Sequence, residues 1–332
     1  MANKLTVCSL ILMGWLSHGL WAQGSTAFKA DTSLILMGTA FSLTAYGPTD
    51  DIAHQGIRTG VKEVQRIERM ISSWDPKSET SAIHAAAGKH PVKVSPELFR
   101  LIQRSIKVSQ LTQGAFDISF ASIQRIWYFD RPMERFPDSQ QVAESVAHIG
   151  YERIQLDPEQ STVFLPDSLM RLGFGAIGKG YAANRAKAEM EKMGITIGLV
   201  NASGDLICWG NPPEGSWRIG IAHPRKPGKM LTMLEVSDQA VVTSGDYEDF
   251  FEWGGIRYSH IIDPRTGFPT HGAASVTVIC PNAELADALA TSVSVLGPKA
   301  GLALINQLKG IECLIVTDSG AWYSSNGLNL DE

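Results

Sequence analysis

Apolar positions recur along this chain at two periods, and the strand-like and helix-like segments they mark alternate without strict order. Ser33 to Tyr46 (SLILMGTAFSLTAY) predicts a strand pair or one bent strand. Ile57, Val61, Val64, Ile67 and Ile71 then fall on one face of a helix. Ser95-Pro96-Glu97 combines an N-cap residue with a proline in the first turn, so a second helix is predicted from there to just before Gly114. A third is predicted from about Lys179 to Met193, with Gly194 as its C-cap. The C-terminal half is richer in strands, predicted at Thr196–Val200, Trp217–Ala222, Met230–Val236, Tyr258–Ile262 and Ser275–Ile279. A helix from about Glu284 to Leu296, a further helix opened by Pro298 and a strand over Cys313–Thr317 complete the pattern. Strands grouped apart from helices predict an α+β fold, with mixed or antiparallel sheets flanked by helices, in place of a doubly wound parallel sheet. No stretch rich in Pro, Gly or Ser divides the chain, so residues 27–328 are expected to form one catalytic unit.

The first residues follow another rule. Lys4 is the sole charge before Lys29, Leu5 to Trp21 is mostly apolar, and Ala22 precedes the polar Gln23-Gly24-Ser25. This is the layout of an export signal over residues 1–22, which predicts a periplasmic destination. An uncleaved anchor on the inner membrane is the alternative, although the run is marginal against the ~20 apolar residues a span needs. Cleavage after Ala22 would remove Lys4 and change the formal charge from −5 to −6. Such mild acidity without a basic cluster argues against nucleic-acid binding. Cys208, Cys280 and Cys313 lack the spacing of a disulfide framework or a zinc site, and the first two lie in apolar runs that predict buried thiols.

Four segments carry candidate chemistry, one of them Gly114-Ala115-Phe116-Asp117, just beyond the second predicted helix. Phe174 to Tyr181 (FGAIGKGY) is a glycine-rich turn opening a helix, where bare backbone and free N–H groups can approach an anion beside Lys179. A tight turn with a surface lysine is the plain alternative. Within Asn282 to Thr291 (NAELADALAT), Asp287 and Thr291 are four apart on one face of an otherwise apolar helix. Their hard oxygens suit magnesium or calcium, while an Asp that satisfies a nearby loop would look the same in sequence. His260 opens HIIDPRTG, a strand entering a Pro/Gly turn, and is either a general base or a strand histidine with a hydrogen-bond partner.

These segments stand in order with others: Met37-Gly38-Thr39, SWDPKSE from Ser73, GAFDIS from Gly114, GAIGKGYAAN from Gly175, Thr243-Ser244-Gly245, HIIDPRTGFP from His260, and SVTVICPNAELADALATS from Ser275. As a set, spread over almost the whole chain, they resemble the FAD:protein FMN transferase (ApbE) family. The resemblance implies a central FAD cleft, FAD consumed as substrate, and a magnesium ion held by Asp287, Thr291 and the main-chain carbonyl of Ala176. It implies that Met37 and Trp74 line the flavin cleft, that Ala115, Phe116, Asp117, Lys179 and Ile262 contact the cofactor, and that His260 or Asp263 accepts a proton. The implied reaction joins FMN to a Ser or Thr hydroxyl of an acceptor protein and releases AMP. Acceptors in this family carry a short Ser/Thr-containing motif and are often subunits of membrane redox pumps. FAD pyrophosphatase and non-catalytic flavin delivery are the rival functions, and an intact metal pair argues against the second. Four positions depart from the family pattern: Gly173 replaces a frequent aspartate, Ser203 a glycine, Asn184 an aspartate and His84 an asparagine.

Overall fold

A computed structural model describes residues 27–247 and 249–328; the expected export signal over residues 1–22 lies outside them. The predicted strand pair is a hairpin, β1 (Phe28–Leu36) and β2 (Thr39–Gly47), turned by Met37 and Gly38 at φ 51° and 75°. Two consecutive left-handed residues make a turn whose twist matches that of the flanking strands. β2 then pairs with β3 (Ile197–Ala202), followed by β4 (Asp205–Trp209), β5 (Ala240–Gly245), β6 (Ala273–Cys280), β7 (Glu312–Thr317) and β8 (Trp322–Ser324). The eight strands lie side by side in chain order, and every neighbouring pair is antiparallel. The α+β reading of the sequence is therefore the fold observed.

Helices occupy one face of this sheet. α1 (Asp50–Ile71) packs on β1 and β2, α5 (Gly178–Lys192) packs between α1 and α6, and α6 (Ala283–Ile305) lies on β5 and β6. Three further helices, α2 (Glu79–Ala86), α3 (Pro96–Leu111) and α4 (Ser139–Ser145), occur in the segments between β2 and α5. Because adjacent strand residues point to opposite faces, Val242 and Val278 enter the main helical core while Val241 and Ile279 face away. The second face is covered by a separate hairpin, Trp217–Ala222 with Met230–Val236, whose Ile221 and Leu234 pack on Leu206, Val241, Ile279 and Leu314.

The structure corrects several boundaries. α1 extends seven residues ahead of the apolar pattern that opens at Ile57, and Thr49 caps its start by accepting the Ile52 N–H. A methyl group would lie 2.5 Å from the Ile195 side chain at Gly56 and 2.7 Å from the Leu43 side chain at Gly60, so α1 lies close against both, and a larger residue at either glycine would make those side chains shift. The predicted strand over Tyr258–Ile262 ends at Ser259; His260 and Ile261 leave the Phe250–Trp253/Ile256–Ser259 hairpin, and Ile262 forms an isolated bridge to Pro269. The break expected between Leu296 and Pro298 is present as non-helical backbone at Gly297. Cys208, Cys280 and Cys313 are free and buried, as the apolar runs around Cys208 and Cys280 predict.

Candidate functional site

A cavity of about 410 Å³ opens where the N-terminus of α5, the middle of α6 and the ends of β4 and β5 meet. It gathers Ala115, Phe116, Asp117, Ala176, Lys179, His260, Ile262, Asp287 and Thr291, nine of the twelve site residues expected from sequence. Trp74, Met37 and Asp263 stand apart. Trp74 is 94% exposed on the loop between α1 and α2, and Met37, in the β1–β2 turn, packs beside Gly178 without reaching the cavity wall. Neither lines the cleft in this structure; the loop that carries Trp74 is held by its own hydrogen bonds to Ser72 Oγ and Asp75 Oδ1.

The close approach of α5 to α6 builds the floor. At Gly180 a methyl group would lie 2.1 Å from the Ala283 carbonyl oxygen, so only glycine permits this crossing. The Gly180 N–H donates to Asp287 Oδ2 at 3.0 Å. One of the free helix-start N–H groups expected to face a bound anion is thus committed to a protein carboxylate. Asp287 is 3% exposed, and burial pushes its pKa up to about 7. Negative Asp205 adds to that rise, while Lys179 and the Gly180 N–H oppose it. Lys179 itself forms an ion pair with buried Asp205.

Asp205 is a site residue that sequence reasoning missed. It enters through the β3–β4 turn, where Ser203 and Gly204 have φ of 55° and 102° and Asn201 accepts the Gly204 N–H. Its signal was the NASGD turn, but its neighbourhood with Asp287 arises only from tertiary packing. Thr243, Ser244 and Gly245, at the end of β5, and Phe120, Ala121, Gly173, Gly175, Ile261 and Pro264 also line the cavity.

On the opposite wall, the chain reverses after α3 through Gln113 and Gly114, both at positive φ, delivering Ala115–Phe116–Asp117 to the cavity. Asp117 is buried and accepts from Ser119 N–H, Ser119 Oγ and Tyr151 N–H. Burial raises its pKa, and those hydrogen bonds offset only part of the rise. Of the two candidate proton acceptors, Asp263 is engaged in a two-point contact with Arg265 and does not line the cavity. His260 does line it, and its Nδ1 lies 3.2 Å from the Asp249 carbonyl oxygen. A carbonyl only accepts, so this contact assigns the proton of the neutral ring to Nδ1 and leaves Nε2 as the basic nitrogen.

Asp287, Thr291 and Ala176 offer a carboxylate, a hydroxyl and a carbonyl to one cavity, a hard-oxygen set that fits magnesium. The buried, mutually repelling Asp205 and Asp287 favour added positive charge there beyond Lys179. Among the described residues, no group of three His, Cys, Asp or Glu side chains forms a metal site; the set proposed here holds a single carboxylate.

Three of the four departures have local explanations. His84 Nε2 accepts the Leu172 N–H at 2.9 Å, and burial, assisted by Arg171, lowers its pKa to about 4. Asn184 donates to Asn282 Oδ1 and accepts from the Ala283 N–H, tying α5 to the start of α6. At Gly173 a methyl group would lie 2.9 Å from Ala121 Cβ, so a side chain there requires Ala121 to move.

Comparison with known proteins agrees with this arrangement. The ApbE family description matches residues 37–315. The chain belongs to the ApbE family. A relative from Klebsiella pneumoniae (strain 342), named FAD:protein FMN transferase, is 30% identical over 324 residues, covering 93% of this chain and 91% of the relative. The crystal structure of the ApbE protein from Thermotoga maritima superposes with a TM-score of 0.81 at 29% identity, covering 90% of this chain and 97% of that one. The apo Pseudomonas stutzeri flavinyl transferase ApbE gives 0.78 at 26% identity, with 90% and 95% covered.

Proposed function

We propose that this chain is an FAD:protein FMN transferase that moves the FMN half of FAD onto a Ser or Thr hydroxyl of an acceptor protein and releases AMP. The observation that carries the reading is the convergence of Asp287, Thr291, Ala176, Lys179 and His260 on one cavity in an ApbE-family chain. The acceptor oxygen attacks the FMN-side phosphorus, the bond from that phosphorus to the AMP phosphate oxygen breaks, and His260 Nε2 takes the hydroxyl proton. Catalysis of this kind is chiefly positioning and charge neutralisation. Lys179 places one positive charge at the cavity, and Asp117 and the bare backbone around Gly175 border the space for the substrate. Asp287, Thr291 and the Ala176 carbonyl would hold magnesium, which when bound supplies charge neutralisation at the pyrophosphate.

Export to the periplasm and an acceptor motif on a membrane redox-pump subunit belong to the same proposal, supported by residues 1–22 and by the family resemblance. The deciding assay incubates the protein with FAD, magnesium and a Ser/Thr-motif acceptor, and follows AMP release together with flavin fluorescence on the denatured acceptor. Equal amounts of AMP and labelled acceptor are expected. AMP with unlabelled acceptor would make the protein an FAD pyrophosphatase, and FAD binding with neither product would make it a carrier. N-terminal sequencing of exported protein should begin near Gln23.

A further inference from the structure

We infer that Arg225 is a positioning residue for His260, acting through the segment that begins at Asp246. The inference rests on His260 as the proton acceptor of the proposed reaction.

Arg225 comes from the tip of the hairpin that covers the second face of the sheet, beyond the lining of the cavity. Its guanidinium donates from Nη1 to Asp246 Oδ1 at 2.5 Å and from Nη2 to Asp246 Oδ2 at 2.6 Å. Nη2 also donates to Asp318 Oδ1 at 2.7 Å, and Asp318 Oδ2 in turn accepts the Gly272 N–H at 2.8 Å. The Asp246 N–H donates to the Ala274 carbonyl. One cation therefore joins three chain segments at the end of the sheet. Asp246 is 3% exposed, and a carboxylate that buried needs a charged or multiply donating partner.

Asp246 follows directly on Thr243-Ser244-Gly245, which wall the cavity. The Tyr247 ring lies against the bare Cα of Gly245, where a methyl group would be 2.2 Å from Cε1. Two residues further on, the Asp249 carbonyl accepts both the His260 backbone N–H, at 2.9 Å, and its ring Nδ1–H, at 3.2 Å. The Asp249 carbonyl thus sets the tautomer and the facing of His260, and Asp249 stands three positions along the chain from Asp246, which Arg225 clamps. A planar fork on a carboxylate holds direction as well as distance, which a lysine cannot reproduce.

The test is a double-mutant cycle on Arg225→Met and His260→Ala, read as kcat and KM for AMP release with FAD, magnesium and acceptor. Arg225→Met should lower kcat ~10- to 100-fold, on the scale of a misplaced general base, with KM for FAD within ~3-fold. In the His260→Ala background the same change should cost under ~2-fold. Arg225→Lys, which keeps the charge and loses the fork, should recover part of kcat. If circular dichroism shows Arg225→Met unfolded, Arg225→Lys takes its place in the cycle. An equal kcat loss with and without His260, or a change confined to KM, would overturn the positioning role while leaving His260 as the base. Wild-type kcat in His260→Ala would instead remove the base assignment on which the inference rests.

Discussion

The Gly180 amide donates to the Asp287 carboxylate across 3.0 Å, joining the first turn of α5 to the cavity face of α6. A methyl group on Gly180 would meet the Ala283 carbonyl oxygen at 2.1 Å and Asp287 Cβ at 2.9 Å. Backbone cannot step aside as a flexible side chain does, so the helices must separate. Gly180→Ala should destabilise the protein by ~2–4 kcal/mol, read from urea unfolding, and lower AMP release with it. At Gly175 an added methyl group would meet nothing within 4 Å, so Gly175→Ala is the matched control and should stay within ~0.5 kcal/mol. Equal stability of the two variants would refute the crossing argument.

Ser203 holds φ 55° in the β3–β4 turn that delivers Asp205. An L-residue with a Cβ is strained there and glycine is not. Ser203→Gly should raise stability by up to ~1 kcal/mol after the greater freedom of glycine in the unfolded chain is subtracted. A lower denaturation midpoint for Ser203→Gly would show that the serine side chain contributes more than its backbone strain costs.

An ion-pair network couples α1, α3 and α5. Arg66 bridges Glu63 and Glu97, Arg185 reaches Glu63, and the Tyr181 hydroxyl donates to Glu97. Burial opposes ionisation of both carboxylates, but the hydrogen bonds from Arg66 and the further contacts win, and both pKa values are lowered. Groups with depressed folded pKa values stabilise above their unfolded pKa and lose that contribution as pH falls through the folded value. Stability should therefore decline as pH drops below ~4.3, the unperturbed Glu value. Glu97→Gln should make that decline shallower, as measured by urea midpoints at neutral and acid pH. An unchanged acid limb in Glu97→Gln would remove the network as its cause.

The candidate site was legible wherever its chemistry is local in the chain. Asp287 and Thr291 stand four apart on one helix, and the glycine-rich turn precedes Lys179 directly, so both could be found by reading forward. Asp205 and Arg225 could not. Asp205 reaches the site only after β4 pairs with β5, and Arg225 meets partners 21 and 93 residues away. The same holds for the strands. β2 shows its buried Phe41, Leu43 and Ala45 by alternation, whereas β4 is buried at all five positions and presents no period to read.

Trp74 tests how far a family expectation extends beyond a static cleft. Fully exposed on its loop, it supports nothing in the fold, so Trp74→Ala should leave stability within ~0.5 kcal/mol of wild type. If the indole closes over bound flavin as the resemblance implies, the same change should weaken FAD binding by ~1–3 kcal/mol, with turnover at saturating FAD retained. Unaltered FAD affinity would leave Trp74 outside the flavin site.

The metal assignment yields the most discriminating prediction. Asp287 is the one carboxylate in the proposed set, and its burial beside Asp205 makes it costly to keep ionised without added positive charge. Asp287→Asn removes the charge, and its side-chain oxygen can still accept the Gly180 N–H. The variant should therefore fold, and easing the repulsion from Asp205 should leave its stability without metal equal to or above that of wild type. AMP release and flavin transfer should be abolished at every practical magnesium concentration. Thr291→Ala takes away a neutral oxygen whose place water can fill, so its activity should return in part as magnesium is raised. Initial rates against magnesium for wild type and both variants, with unfolding curves as the folding control, separate the alternatives. Full activity in Asp287→Asn would end the metal assignment. An unfolded Asp287→Asn would make the carboxylate a structural partner of α5, needed for the crossing at Gly180 and not for chemistry.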